Sequence, residues 1–396
     1  MRVAERGFAA VQPAAWHNER RRFRLKAWPV LGILTVQIFL CLAHWFLYCT
    51  WIHFWFPLGP AADVTLRIAL LLLSSTFVLS AMLSFRLANP LVDLLYWIAA
   101  VWLGLLNFFF VAACIAWVTD LCLKLVLTKT ALHTVRPVLI ASLFSAALAV
   151  SIYGFVNARW IRHRRISISL PNLPPHWKGR TALVVSDLHL GNINRRRFAR
   201  RIAAIARKLN PSVIFIPGDV FDGGRTEPAL LAEPLFALKP PLGTYCVLGN
   251  HDEFGGALRC AHALQEGGLH VLEEEKVDVD GLPVIGISYR QSTRPIHLRA
   301  FLEDLHLNGS ASVLLQHVPN RLAIVEQAGV SLQLSGHTHG GQVFPFSWIT
   351  HRAFGRFTYG LQQHGALQVY TSSGVGTWGP PMRVGTHPEV VLLTFA

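Results

Sequence analysis

Charged side chains are scarce in this chain of 396 residues: Asp, Glu, Lys and Arg make up 15% of it, against about 25% in an ordinary soluble domain. The deficit falls on the N-terminal part and excludes a uniformly soluble globular protein; the second half has the mixed polarity of an enzyme domain. Acidic residues are the scarcer sign, 22 against 36 basic, which leaves a formal net charge of +14. The basic excess gathers at Arg2, Arg6, Arg20, Arg21, Arg22, Arg24 and Lys26, at Arg159, Arg162, Arg164 and Arg165, and between Arg195 and Lys208. The first two clusters flank apolar runs, which points to membrane lipids of anionic charge as the partner rather than nucleic acid. No aromatic-interleaved basic stretch of an RNA-reading module occurs. Cysteine is sparse as well. Cys41, Cys49, Cys114, Cys122, Cys246 and Cys260 form no Cys-x-x-Cys pair, so neither a zinc knuckle nor a disulfide framework is expected.

What is abundant is apolar sequence in long runs. Trp28 to Pro57 holds no Asp, Glu, Lys or Arg; Ile68–Phe85 lies between Arg67 and Arg86; Leu94–Thr119 lies between Asp93 and Asp120; Val138–Val156 follows. Each is near or above the roughly 18 residues a membrane-spanning helix needs. The first is too long for a signal peptide, whose apolar core is about 7–15 residues. The expected organisation is a basic tail over 1–27, a four-helix membrane region over 28–158, a basic, proline-containing linker over 159–180 and a second domain over 181–396. An even number of spans puts tail and linker on one side, and their positive charge makes that side cytoplasmic. A multi-pass plasma (inner) membrane protein with a cytoplasmic C-terminal domain is expected, against the smaller basic cluster Lys124, Lys129 and Arg136 on the other side. His44, His53 and Asn107 inside the runs read as helix–helix hydrogen-bonding groups, since an ion pathway normally carries carboxylates or Lys/Arg.

After Pro171–Pro175 the pattern changes to short apolar runs that alternate with helical ones. Strands are expected at Thr181–Ser186, Val213–Ile216, Thr244–Leu248, Val284–Ser288, Ser312–Leu315, Leu332–Leu334, Val369–Ser372 and Glu389–Phe395. Helices are expected at Asn194–Leu209, Pro228–Leu238, Gly255–Glu266, Leu298–Leu305 and Asn320–Ala328. That alternation predicts a layered α/β domain.

Five short polar blocks each follow an expected strand: Asp187-Leu188-His189, Gly218-Asp219-Val220-Phe221-Asp222, Gly249-Asn250-His251-Asp252, Gln316-His317 and Gly336-His337-Thr338-His339-Gly340-Gly341-Gln342. Sites in α/β sheets form outside the carboxyl ends of the strands, so five loops can converge on one cleft. Asp, His and Asn offer oxygen and nitrogen ligands suited to Mn, Fe or Zn rather than Ca. In extended backbone, residues two apart face the same way, which would aim Asp187 with His189, and His337 with His339, into that cleft. A single such block is an everyday turn or surface histidine; five in order at strand ends are a metal centre.

The ordered set Asp-x-His, Gly-Asp-x-x-Asp, Gly-Asn-His-Asp, His and Gly-His-x-His resembles the calcineurin-like metallophosphoesterase superfamily, from about Thr181 to the C-terminus. The Gly-His-Thr-His-Gly-Gly-Gln block and the run Gly374 to Arg383 are similar to its membrane-associated, YkuE- and YaeI-like branch, which includes a UDP-2,3-diacylglucosamine hydrolase of lipid A synthesis. The resemblance implies an αββα sandwich, two mixed sheets flanked by helices, with two divalent metal ions. Asp187, His189 and His339 would bind one, Asn250, His317 and His337 the other, and Asp219 both. His251 would act near the leaving-group oxygen, oriented by Asp252, with Asp222 outside the ligand set. The implied activity is hydrolysis of a phosphoester by metal-activated water. The apolar runs favour an amphiphilic, lipid-linked substrate; soluble nucleotides and an inactive membrane scaffold are the alternatives. Arg383 is a candidate substrate contact through a bidentate guanidinium, whereas Arg290 and Arg294 beside Tyr289 read as surface charge. Arg195, Arg196, Arg197, Arg200, Arg201, Arg207 and Lys208 share one helix with an apolar face of Phe198, Ile202, Ile205 and Leu209, a candidate membrane-surface contact.

Overall fold

The computed structural model describes residues 27–396 apart from 56 and 308, with side chains from Val30 onward. The basic tail expected over 1–27 therefore lies, but for its last residue, outside the described residues. The four apolar runs form α1 (Ala27–Phe54), α2 (Pro60–Ser84), α3 (Pro90–Leu123) and α4 (Lys129–Asn157). All four are long and apolar enough to cross a membrane. α2, α3 and α4 begin ahead of their apolar runs because the chain supplies start signals there. Pro60 and Pro90 open α2 and α3, Asn89 accepts from the Leu91 amide, and the Thr128 hydroxyl caps α4 at Ala131.

The central helix of the bundle is α3. Ala99, Ala100, Ala112, Ala113 and Ala116 are all buried along it, small residues that let neighbouring helices approach. Leu31, Leu42, Leu71, Leu91 and Val118 stay exposed on the outside, as lipid-facing residues do. The polar groups within the bundle are spoken for. The His44 ring is bonded to the Leu40 carbonyl and accepts from Trp102 Nε1 at 2.8 Å. His53 stacks on Trp117 and meets the buried Asp120, which also holds Arg136 and Lys124. Asn107 donates to the Phe344 carbonyl. His44 and His53 thus make the expected bonds within the bundle, whereas Asn107 reaches out of it to the second domain.

The second domain runs β1 (Arg162–Ile168), β2 (Thr181–Val184), α5 (Arg196–Leu209), β3 (Val213–Ile216), α6 (Pro228–Phe236), β4 (Thr244–Cys246), α7 (Asn250–Phe254) and α8 (Ala257–Glu266). There follow β5 (His270–Val271), β6 (Glu275–Val279), β7 (Leu282–Ile287), α9 (Tyr289–Ser292), α10 (Pro295–Asp304), β8 (Val313–Gln316), α11 (Leu322–Gln327) and β9 (Leu332–Ser335). It ends with α12 (Phe346–Phe354), β10 (Gly360–His364), β11 (Leu367–Thr371) and β12 (Glu389–Phe395). One six-stranded sheet has the order β1-β12-β2-β3-β4-β5, the other β10-β11-β9-β8-β7-β6, and both are mixed.

Strand alternation builds the layers. Ala182, Val184, Val213 and Phe215 point between the sheets to meet Val313, Leu315, Leu332 and Leu334. Leu183, Ile214 and Ile216 point outward against Ala199 and Ile202 of α5 and Leu264 of α8. On the far face Leu314 and Val369 pack under Leu298 and Leu302 of α10 and Val325 of α11. The result is the αββα sandwich.

The expected linker over 159–180 needs correction, because its first half is a strand. Arg162 to Ile168 pairs in parallel with β12 over its whole length. It went unread because Arg164 and Arg165 interrupt the apolar pattern. On an edge strand such charges are useful, since they discourage pairing with another chain. Only Ala158–Ile161 separate α4 from the sheet, and the domain begins at β1 rather than Thr181.

The domain is docked on the bundle, not tethered to it. A Cβ added at Gly104 of α3 would lie 2.6 Å from Met382 Cε, and one at Gly154 of α4 would lie 2.8 Å from Val384 Cγ2. Met382 and Val343 pack among Phe108, Ala112 and Ala147. The Asn157 side chain donates to the carbonyls of Arg383 and Thr386, and Arg195 pairs with Asp93 at the start of α3.

Candidate metal centre

Strands β2, β3 and β4 are parallel neighbours in one sheet and β8 and β9 in the other. Their carboxyl ends deliver Asp187–His189, Asp219–Asp222, Asn250–Asp252, His317 and His337–His339 to one place. The loops are zipped by backbone bonds: the Asp187 amide donates to Gly218 O and the His189 amide to Asp219 O, both at 3.1 Å. Glycine is needed where they cross. A Cβ at Gly249 would fall 2.0 Å from Asp219 Oδ1, and one at Gly336 would fall 2.1 Å from Asp187 Oδ2.

The backbone that aims these side chains differs from the extended geometry expected of Asp-x-His and His-x-His. Asp187, His189, Asp219, His337 and His339 all have left-handed φ, between 47° and 69°. Each such residue costs about 1–3 kcal/mol and persists only where the surroundings impose it, which is common at functional sites.

The donor atoms converge. His189 Nε2 and His339 Nε2 are 3.0 Å apart, and Asp187 Oδ1 lies 3.4 Å from His339 Nε2 and 3.9 Å from His189 Nε2. Asp219 Oδ2 lies 3.7 Å from His189 Nε2 and 3.1 Å from His317 Nε2. His337 Nδ1 and Asn250 Oδ1 are 2.9 Å apart. A tetrahedral ion with bonds of about 2.1 Å separates its ligands by about 3.4 Å, so this spacing fits metal ligation. A second sign is His317. Its Nδ1–H donates to Pro217 O, which aims the buried Nε2 at Asp219 Oδ2, 3.1 Å away, where a cation would sit between them. The residues present thus fit divalent metal ions: the donor atoms of Asp187, His189 and His339 lie within 4.8 Å of one another, as do those of Asp187, Asp219 and His317.

Without a cation these groups disturb one another. Burial opposes the charge on Asp219, but His317 and His189 outweigh it and hold its carboxyl far below the usual range. Burial also opposes the His317 charge, yet Asp219 and Asp187 push its pKa up to about 9. Burial and the charge of His317 push His337 down to about 3.

Two roles expected around the cluster need correction. Asp252 does not orient His251. The two are consecutive in α7, and consecutive helical side chains diverge by about 100°. Asp252 is buried and accepts the backbone amides of Gly249, Val220 and Phe221, so it ties two site loops together. The carboxylate that faces His251 is Asp222, whose Oδ1 is 3.3 Å from His251 Nδ1 and 3.2 Å from His189 Nδ1. Burial disfavours the charged form of His251, but Asp222 and Asp219 more than offset it and raise its pKa.

Arg383, the candidate substrate contact, has no exposed surface. Its guanidinium donates to the carbonyls of His339, Gly374 and Gly376 and lies 3.1 Å from His339 Nδ1. It braces a ligand instead of meeting a substrate. Arg290 is a surface residue paired with Glu253, as expected.

The cluster opens into a cavity of about 490 Å³ whose far wall belongs to the membrane helices. Asp219, Asn250, His251, His337 and His339 line one end. Phe77, Ala81, Ser84 and Phe85 of α2 and its end, Tyr96 of α3, and the exposed aromatics Phe254 and Trp378 line most of the rest, with Asn192, Asp222 and Gly224 between. This wall was unreadable in the sequence, where Phe77 and Tyr96 are ordinary span residues. Trp378 alone carried a signal, as part of the Gly374–Arg383 run.

A sandwich of two mixed sheets with an Asp/His/Asn cluster at its strand ends defines a metal-dependent phosphoester hydrolase. The model for calcineurin-like phosphoesterases matches residues 180–341. An uncharacterized metallophosphoesterase of Aquifex aeolicus is 30% identical over 256 residues, which cover 63% of this chain and 97% of that protein. A Danio rerio transmembrane protein with metallophosphoesterase domain is 32% identical over 276 residues, 64% of this chain and 62% of that one. A solved dimetal phosphatase from Danio rerio aligns at 12% identity with a TM-score of 0.36, covering 55% of this chain and all of the other; so loose a likeness carries no argument. The chain belongs to the calcineurin-like phosphoesterase family and is a membrane protein of that family.

Proposed function

We propose that the protein hydrolyses an amphiphilic phosphoester, a phosphodiester or pyrophosphate joined to a lipid, at the cytoplasmic face of the plasma (inner) membrane. The observation that carries this reading is the cavity, polar at the Asp/His cluster and apolar along α2 and α3. Phe77 lies about 10 Å along α2 from Ser84, at 1.5 Å per residue, so an apolar tail would run along the bundle while its phosphate met the cluster. A glycolipid of the UDP-2,3-diacylglucosamine kind belongs to this class. The cytoplasmic side is supported by Arg86, Arg159, Arg162, Arg164, Arg165 and the α5 arginines, which share the domain's end of the bundle. The other end carries fewer, Lys124, Lys129 and Arg136.

Asp187, His189 and His339 would hold one ion and Asn250, His317 and His337 a second, with Asp219 shared; the donor set suits Mn, Zn or Fe. Divalent cations bound there supply Lewis acidity, which lowers the pKa of water and offsets charge on phosphoryl oxygens. The protein's own groups do the rest. His251 presents Nε2 to the leaving oxygen as proton donor while Asp222 holds Nδ1. Trp378 and Phe254 flank the His251 ring at the mouth of the cavity. The same two aromatics would stack a nucleobase, which is what a soluble-nucleotide substrate would need.

The test uses full-length protein in nanodiscs, stripped with chelator and resupplied with Mn, Zn, Fe or Mg in turn. Matched diesters with and without acyl chains, and nucleotide diesters, form the panel. Acylated substrates are expected to show the higher kcat/KM, and Phe77→Ala to raise KM for them by about tenfold, roughly the worth of one aromatic contact, while sparing short-chain analogues. Equal or better turnover of short-chain analogues or nucleotides would overturn the lipid reading.

A further inference from the structure

Helix α12 buries none of its residues, although it begins directly beside the contact between the domain and the bundle. Phe346 is 52% exposed, Trp348 69% and Ile349 65%. That is an unusual concentration of apolar surface on a nine-residue element, and its neighbours say what covers it. The Phe344 carbonyl, two residues upstream, accepts from Asn107 in the middle of α3. Val343 packs with Met382 among Phe108, Ala112 and Ala147 of α3 and α4.

The depth of that contact follows from the helix rise. Asp120, bonded to Arg136 and Lys124, marks the charged layer at the far end of the bundle. Asn107 lies about 20 Å along α3 from it, inside the roughly 30 Å of a bilayer's hydrocarbon core. The chain at Phe344 is therefore at membrane depth when α12 begins. Trp348 packs edge-on against Phe344 at 4.9 Å, in continuity with the same contact. At the other end of the helix His351 and Arg352 are exposed, followed by exposed Arg356, and Phe354 turns inward to lie 6.0 Å from the His337 ring.

We propose that α12 is embedded in the surface of the bilayer, with Phe346, Trp348 and Ile349 among lipid acyl chains and Arg352 and Arg356 at the level of anionic headgroups. An apolar face followed by basic residues is the pattern of an interfacial helix, and an arginine stem can cross the apolar zone to reach the headgroups. The helix spans from lipid to the metal cluster, so it fixes the height of the cleft above the membrane. The inference concerns the bilayer alone and does not depend on the substrate.

The experiment compares Trp348→Cys with Leu258→Cys, a residue on α8 that is 76% exposed, in full-length protein in nanodiscs of anionic and zwitterionic phospholipid. A water-soluble maleimide is added from both faces, and wild-type protein gives the background from its own cysteines. Because a thiol in apolar surroundings is held in its unreactive protonated form, Trp348→Cys is expected to react at least about tenfold more slowly than Leu258→Cys and to match it in denaturant. Equal rates in the nanodisc would overturn the proposal. Hydrolysis of a chromogenic diester checks that each variant is folded; if Trp348→Cys fails that check, Phe346→Cys carries the same comparison and the same two outcomes.

Discussion

Replacing Asp222 by Asn separates the two jobs its carboxylate performs. Oδ1 faces Nδ1 of His251 and Nδ1 of His189 at once, within a buried site. A hydrogen bond to a charged group is worth about 1.5–3 kcal/mol, so loss of the His251 bond should slow the proton-transfer step by about 10- to 150-fold. The pH dependence follows with a definite sign. Asp222 and Asp219 hold the His251 pKa above its ordinary value against burial. With Asp222 neutral, burial gains ground and the pKa falls. The donor form exists below that pKa, so the alkaline limb of kcat moves to lower pH. The assay measures wild type and Asp222→Asn on two diesters that differ only in leaving group, a nitrophenolate and an alkoxide, with bound metal quantified. A proton donor matters most for the poor leaving group, so the defect should be large for the alkoxide and small for nitrophenolate. Equal losses on both substrates, tracking lost metal, would show that Asp222 serves His189 only and would refute the role assigned to His251.

Gly104→Leu would drive a side chain into Met382 and Pro380, whose atoms lie 2.6 and 3.3 Å from the position of an added Cβ. Overpacking of this kind costs about 1–3 kcal/mol, which should lower the apparent melting temperature by about 2–10 °C, and Met382→Ala should recover part of the loss; no shift would mean that the docking contact is loose. For metal-free protein, the His317 pKa of about 9 sets a pH window. The ion pair with Asp219 contributes fully below the unfolded value of about 6.5 and is lost as pH rises through about 9, so the stripped protein should lose thermal stability across that range. Metal uptake must displace the same proton, so calorimetry in buffers of different ionisation enthalpy should detect proton release near neutral pH; a flat stability profile with no release would contradict the His317 assignment.

The metal cluster was legible in the sequence because ligation demands particular donor atoms, and those donors stand beside glycines at the ends of readable strands. The four spans were legible for a similar reason, since a bilayer excludes charge over a fixed length. Failures occurred where a residue's role depends on contacts distant in sequence. β1 looks like a linker because its partner is β12, more than 200 residues away. The family resemblance made Asp252 the partner of His251, whereas helical geometry turns it away and brings in Asp222. Arg383 looked like a substrate contact until the crowding of Gly374 and Gly376 around its guanidinium showed it buried. Most of all, a wall for the active site made of Phe77, Phe85 and Tyr96 has no signature in the spans themselves.

That wall changes what the membrane helices are for. An anchor needs only one span and a flexible connection, yet here four residues join α4 to β1, too few to let the domain swing free. The connection is rigid at the chemical level as well. Asn157 at the end of α4 donates to the Arg383 carbonyl, the Arg383 amide donates back to Gly154, and the Arg383 side chain braces His339 through its carbonyl. A ligand of the metal cluster is thus positioned from the end of a membrane helix through one buried arginine. Since catalytic groups must be held to within about 0.5 Å of their working geometry, a domain cut free at β1 would lose both one side of its cavity and part of the scaffold that holds His339. The bundle therefore walls the cavity beside the metal cluster, and a fragment that begins at Arg162 is expected to hydrolyse a chromogenic diester more slowly than the whole protein at equal metal content.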